Sequence, residues 1–342
     1  MAHSLADDYP WISQPLIVNA PMGGFAGGAL ATAVTRAGGL GQIGAVYNMD
    51  ELSDQLRIVE HELERCNHVL PIGVGLLPFV SKLEKALPVL EKFKPAVVWL
   101  FAANNFDDYK TWSARVREVT PRSKVWIQVG SVSAAVAVAE SCRPDVLAIQ
   151  GIDAGGHGFE KGASIISLLP EVADTLAKHG FGDIPLVASG GIVDGRGAAA
   201  ALALGAQGVV MGTRFLAAEE TIIHPGYRTA VLATTDGGQS TVRAKIFDEL
   251  RGPNIWPVLY DGRGLVTESY NDHAAGVDIA QIRSLHADAL KSEHAGFGES
   301  RRATVWAGTG VGLVNRVQPA EDIVTEVRNG AFAALDRVRS RL

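Results

Sequence analysis

Cysteine is scarce in this sequence. Only Cys66 and Cys142 occur among 342 residues, far apart and in no spacing that suits a metal or a redox pair. A disulfide-stapled scaffold and a zinc module are therefore not expected, and a reducing compartment fits, with the cytoplasm as the expected location. Basic clusters are missing as well. The formal net charge is −6, and no run interleaves Lys or Arg with aromatics, so no nucleic-acid partner is expected. Long hydrophobic runs are also lacking. The most apolar helical stretch, residues 198–204, falls well short of the ~20 residues of a membrane span, so no membrane partner is expected. The first ten residues carry acids and no apolar stretch, which argues against a signal peptide. No repeat with a period of 20–50 residues and no low-complexity tract is evident.

What is present is a rhythm. Hydrophobic residues make up 47% and charged residues 20%, enough for an ordinary globular core. Short apolar runs at 16–20, 41–46, 69–76, 96–102, 124–129, 146–150, 185–188 and 208–211 read as strands. Helical patterns at 29–37, 50–65, 81–93, 109–119, 132–141, 165–178 and 197–204 separate them. Continuous apolar strands imply burial on both faces, as in a parallel sheet. Eight such strands with intervening helices predict an α/β fold, a TIM (β/α)8 barrel, ahead of a doubly wound open sheet. The chain is longer than the ~250 residues typical of such a barrel. The expected organisation is a barrel from 1–217 and 316–342, with 218–315 as a cap or small helical substrate domain. The C-terminal pattern of Ile323, Val327, Ala331, Leu335 and Val338 predicts the last outer helix of the barrel. The final residues, Ser340-Arg341-Leu342, resemble the Ser-Lys-Leu address, so a peroxisomal location is the alternative in a eukaryote.

Glycine is abundant, with 38 residues, and its placement is informative. Glycines crowd the C-terminal ends of the predicted strands. They occur in Ala20-Pro21-Met22-Gly23-Gly24, at Gly151, in Gly155-Gly156-His157-Gly158, in Ser189-Gly190-Gly191 and in Met211-Gly212-Thr213. In a barrel those ends form the catalytic face. The loops after the seventh and eighth strands are where barrels often bind phosphate, through free N–H groups and a short helix start. Either loop taken alone reads equally well as a tight turn. Gly39-Leu40-Gly41-Gln42-Ile43-Gly44 matches a dinucleotide fingerprint as a string, but it ends a helix and leads into a strand, the reverse of what that motif needs. Gly308-Thr309-Gly310-Val311-Gly312 reads either as a loop over the pocket or as a turn.

His157 follows the sixth strand and should project over the barrel mouth, free to move or to meet a ligand between its glycines. Imidazole titrates near neutrality and suits a general base. A structural histidine satisfied by a loop carbonyl is the competing reading. Asp153 precedes it by four residues, yet the intervening glycines disfavour a helical metal pair, and no metal is expected. Gln128 ends the fifth strand, where its amide can donate and accept.

These residues resemble the nitronate monooxygenase family, formerly called 2-nitropropane dioxygenases. The resemblance rests on Asn19-Ala20-Pro21-Met22, on the 150–158 segment with Ala-Gly-Gly-His157, on Ala188-Ser189-Gly190-Gly191-Ile192 and on Val210-Met211-Gly212-Thr213-Arg214-Phe215. Thr241-Val242-Arg243 and Tyr260-Asp261-Gly262-Arg263 are similar to fungal members. The resemblance implies FMN as cofactor. Pro21, Met22 and Gly23, with Gly155, would border the flavin ring, and Gln128 would lie near its pyrimidine edge. Gly190, Gly191, Gly212 and Thr213 would hold the phosphate. Ala20, Gly151, Ser189 and Met211 complete the expected cofactor set. His157 would take the proton from the carbon bearing a nitro group. The implied reaction is oxidative denitrification: a nitronate and O2 give a carbonyl compound and nitrite. Rival expectations are an NAD(P)H:quinone or enoyl-thioester reductase on the same FMN barrel, a flavin-free phosphosugar isomerase or aldolase, and a non-catalytic binding protein. The oligomeric state is left open.

Overall fold

The computed structural model describes residues 5–44, 48–298 and 300–341. Eleven strands follow one another there: β1 (Leu16–Asn19), β2 (Gln42–Gly44), β3 (Leu70–Leu76), β4 (Pro95–Leu100), β5 (Lys124–Val129), β6 (Val146–Gln150), β7 (Gly156–Phe159), β8 (Leu186–Ser189), β9 (Gly208–Met211), β10 (Thr241–Ala244) and β11 (Tyr260–Leu265). Eight of them form one parallel sheet in the order β1-β9-β8-β6-β5-β4-β3-β2. Val18 bridges Leu40 in parallel, and the Leu40 N–H donates to the Ile17 carbonyl at 3.0 Å, so the two edges of the sheet meet. The result is the expected (β/α)8 barrel. Residues 45 and 46 of the second predicted strand lie outside the described residues.

The strands form where branched and apolar residues run without a break. Every residue of β3 and β4 is buried, as a sheet covered on both faces requires. Trp99 and Trp126 stand on the inward pleat of β4 and β5, fully buried, with ring centroids 5.5 Å apart. The Trp126 indole N–H donates to the Tyr9 hydroxyl at 2.8 Å, which ties the segment before β1 to the barrel interior. Burial drives the Tyr9 hydroxyl's pKa well above the usual phenol range. The outer helices start where the sequence supplies a cap. Asn105 and Asp108 form a reciprocal capping box for Phe106–Val119, and Ser131 caps Val132–Cys142. Each such cap contributes ~1 kcal/mol.

The eighth outer helix is Ala320–Arg339, which packs against Gly28–Arg36 and Gly195–Ala203 and so completes the ring. Its buried stripe is shorter than the periodicity predicts. Ile323, Val327 and Ala331 are buried, but Leu335 and Val338 are exposed, because the last turns run past the helices they would cover. No helix among the described residues is long and apolar enough to cross a membrane. Residues 1–4 at the start and Leu342 of the terminal tripeptide are not among the described residues.

Between β9 and the last helix, residues 218–315 hold the helices Pro225–Ala233, Glu268–Ala274 and Ile279–Leu290, but also two strands. β10 pairs antiparallel with β11, and β11 pairs antiparallel with β7. The segment is thus not purely helical. The segment carrying His157 is likewise a strand rather than a free loop, since β7 leaves the barrel to join this second sheet, with His157 opposite Gly262. Gly-His-Gly-Phe has no apolar alternation to announce a strand. The partner β11, a hundred residues on, supplies the pairing.

Candidate active site

A cavity of about 970 Å³ opens at the C-terminal ends of the barrel strands. That lies at the upper end of the ~300–1,000 Å³ common for small-molecule sites. Its walls divide into a glycine-lined end and an aromatic end.

The glycine-lined end is made by the turns after β8 and β9. Gly190 and Gly191 adopt φ of +104° and +73°, the left-handed region that side-chain-bearing residues avoid. A Cβ on Gly190 would lie 2.8 Å from the Gly151 carbonyl oxygen. Among the described residues, the N–H groups of Gly190, Gly191, Gly212 and Thr213 donate to no protein acceptor. Unpaired N–H groups at a cavity wall fit an anionic ligand that completes their bonding. Thr213 Oγ1 accepts from the Gly308 N–H at 3.0 Å, which leaves its own O–H free to donate. Gly308 and Gly310 line the cavity, so the glycine cluster at 308–312 is a wall and not a remote turn. The Thr309 N–H donates to the Asp153 carbonyl at 3.0 Å, stitching that loop to the loop after β6. Asp153 therefore acts through its backbone.

Ala20, Pro21, Met22, Gly23, Gln128, Gly155, His157, Ser189, Gly190, Gly191, Gly212 and Thr213 all line this one cavity. Gly151 and Met211 do not. Met211 is fully buried and its carbonyl accepts from the Ala20 N–H, while the Gly151 N–H donates to the Ser189 carbonyl, so both brace the wall from behind. Gln128 Oε1 accepts from the Trp99 indole N–H at 3.1 Å. That fixes the amide: its oxygen is engaged, and the Nε2 donors are the half left for a ligand.

At the aromatic end, His157 is far from free. Its Nε2 lies 2.7 Å from Asp248 Oδ1, with the two side chains 15% and 8% exposed. Its ring stacks on Trp256 at 3.6 Å between centroids and 8° between planes, and Trp306 lies 4.8 Å away at 55°. Phe79, from the loop after β3, packs behind Trp256 at 4.6 Å. Gln150 Nε2 donates to the His157 carbonyl at 3.1 Å. Gly155 and Gly158 are closely packed, while Gly156 has open space beside it and serves the turn through its φ of +69°.

Two arginines hold the loop that leads to β7. Arg243 donates to Asp261 Oδ1 at 2.6 Å and to the Ala154 carbonyl at 3.2 Å. Arg263 donates to the Ile152 carbonyl at 3.3 Å and to Thr241 Oγ1 at 3.1 Å. Burial, and then the charge of Arg243, lowers the Arg263 pKa. Burial likewise raises the Asp261 carboxyl pKa, against the pull of Arg243. These are the arginines of the two motifs at 241–243 and 260–263, and their part in the site is structural.

Sequence reasoning missed Asp248, Trp256 and Trp306. Asp248 lies 91 positions from its histidine, and none of the three stands in a local motif.

Residues 113–330 match the family model for nitronate monooxygenase. The chain is 42% identical to nitronate monooxygenase npaC of Metarhizium robertsii over 99% of this chain and 97% of that protein. It is 37% identical to a nitronate monooxygenase of Neurospora crassa over 97% and 93% of the two chains. Among solved structures, FabK from Thermotoga maritima superposes with a TM-score of 0.77 at 25% identity, covering 100% of both chains. The chain is an enzyme that belongs to the nitronate monooxygenase family.

Proposed function

We propose that this enzyme is an FMN-dependent nitronate monooxygenase that converts alkyl nitronates, and nitroalkanes after deprotonation, to carbonyl compounds and nitrite with O2. The observation that carries the reading is the joining, in one cavity, of unpaired N–H groups with a histidine packed against two indoles. The residues present fit FMN. Gly190, Gly191, Gly212 and Thr213 would hold its phosphate through backbone N–H groups and one hydroxyl. Pro21, Met22, Gly23 and Gly155 would border its ring, and Gln128 Nε2 would donate to the ring's polar edge. A side chain at Gly155 would meet the Gly308 nitrogen at 2.3 Å, so this wall stays flat. When bound, FMN supplies the electron acceptor for the substrate and the route of those electrons to O2.

The chain's own residues do the rest. His157 removes the proton from a neutral nitroalkane; a preformed nitronate needs no base. Trp256, Trp306 and Phe247 line the cavity around it and keep water from the reacting carbon. Residues 218–315 act as the cap that supplies this wall.

The test is turnover of propyl-2-nitronate by the purified, FMN-loaded protein. Nitrite release matched by O2 uptake, with no oxidation of NADPH, is the expected result. NADPH oxidation with a quinone or an enoyl thioester, and no nitrite, would make it a reductase on the same barrel.

A further inference from the structure

His157 has two ring nitrogens, and the structure treats them differently. Nε2 sits 2.7 Å from Oδ1 of Asp248, whose side chain is 8% exposed. An ionised carboxylate only accepts hydrogen bonds, so Nε2 must carry the proton. Nδ1 has no hydrogen-bond partner among the described residues, and its ring lines the cavity. In that tautomer the lone pair is on Nδ1.

We propose that Asp248 is a positioning residue for the base: it holds His157 in the Nε2–H tautomer, so that Nδ1 is the atom that takes the substrate proton. The proposal rests on the reading of His157 as the base. In the step, the nitroalkane C–H bond breaks and its electron pair stays on carbon, delocalised onto the nitro group as a nitronate. The proton bonds to Nδ1, and the ring becomes an imidazolium.

The surroundings favour that product. The cation would lie against the Trp256 indole face and donate a charge-assisted bond to Asp248. Asp248 Oδ2 is buried with no hydrogen-bond partner among the described residues. A half-satisfied buried carboxylate gains more from a neighbouring cation than a solvated one does. The dyad is therefore matched to the state after proton transfer rather than before it. The ring is also kept from tilting, with Trp256 parallel to one face, Trp306 beside it and Gln150 fixing the backbone. The other nearby charges act elsewhere: Arg243 is paired with Asp261 on the adjacent strands, and Arg251 lines the cavity without a hydrogen bond to the imidazole.

The experiment combines Asp248→Asn with nitrogen NMR of histidine-labelled, FMN-loaded protein, using His157→Asn to assign the signal. Wild-type His157 should show the Nε2–H tautomer. In the Asp248→Asn variant the introduced amide can donate to Nε2, and the signal should move toward Nδ1–H. The kcat/KM for 2-nitropropane should then fall about a hundredfold or more, while that for propyl-2-nitronate stays within about threefold. A wild-type His157 signal of the Nδ1–H form overturns the proposal, whatever the Asp248→Asn variant does. So does an Asp248→Asn protein whose tautomer is unchanged, or one that loses both activities equally. If His157→Asn leaves 2-nitropropane turnover intact, the reading of His157 as base fails, whatever the tautomer signals show.

Discussion

At one end of the cavity, Gly190, Gly191 and Gly212 offer backbone N–H groups at the tips of β8 and β9. At the other, His157 is held by Asp248, Trp256 and Trp306, side chains drawn from residues 248–306. The first end is built by omission. Side chains are absent where backbone must meet a ligand, and each element is local: a strand, a glycine turn, the next helix. The second end is built by convergence. The excursion after β6 supplies the histidine, but its partners come from the insertion that follows the eighth barrel strand. The two ends should therefore fail differently, the first by losing cofactor and the second by losing one chemical step.

The largest effect is expected at the glycine-lined end. Gly190→Val places a branched side chain at φ +104° with its Cβ 2.8 Å from a carbonyl oxygen. The protein should emerge colourless, and absorbance per chain after FMN addition measures it. Normal flavin content would break the comparison at its first term. His157→Asn comes next. We expect a loss on neutral nitroalkanes of ~10²–10⁴-fold with FMN retained and nitronate turnover nearly unchanged. Equal loss on both substrates would mean that His157 binds rather than abstracts.

Smaller effects bear on the scaffold behind the histidine. Arg243→Met removes the ion-pair partner of Asp261, both side chains being under a tenth exposed in the native pair. Breaking such a pair costs ~3–5 kcal/mol, and replacing both residues with apolar ones should recover much of it. Urea midpoints of the single variant and of Arg243→Met with Asp261→Leu would show whether it does.

The smallest effect concerns His286, buried in the insertion, with Nδ1 3.0 Å from the Arg302 carbonyl and Nε2 lacking a partner among the described residues. Burial holds this imidazole below its ordinary titration range. Its contribution to stability is therefore present above the ordinary imidazole pKa of about 6.5 and is lost as pH falls toward the depressed value. His286→Gln should flatten the decline of Tm over that interval. An unchanged slope would remove His286 as the cause.

The same contrast explains what can be read in the sequence. All eight barrel strands stand where apolar runs place them, because a strand buried on both faces writes its burial into consecutive residues. The glycine turns are legible for the same reason, since each follows its strand directly. Asp248, Trp256 and Trp306 are not, because nothing in their neighbourhoods distinguishes them from an acid or an indole elsewhere in the chain. β7 reads as a loop in sequence, because Gly156-His157-Gly158 looks like one until β11 arrives to pair with it. The arginines at 243 and 263 stand out as motif residues, but their task, holding the carbonyls of 152 and 154, depends on contacts roughly a hundred positions away.

The central claim is that a nitronate is oxidised in this cavity, on FMN held by the glycine-lined end. It is tested most directly by mixing the FMN-loaded protein anaerobically with propyl-2-nitronate in one cuvette and NADPH in another. The account predicts that the oxidised-flavin absorbance falls with the nitronate and persists with NADPH. Rapid bleaching by NADPH and indifference to the nitronate would contradict it.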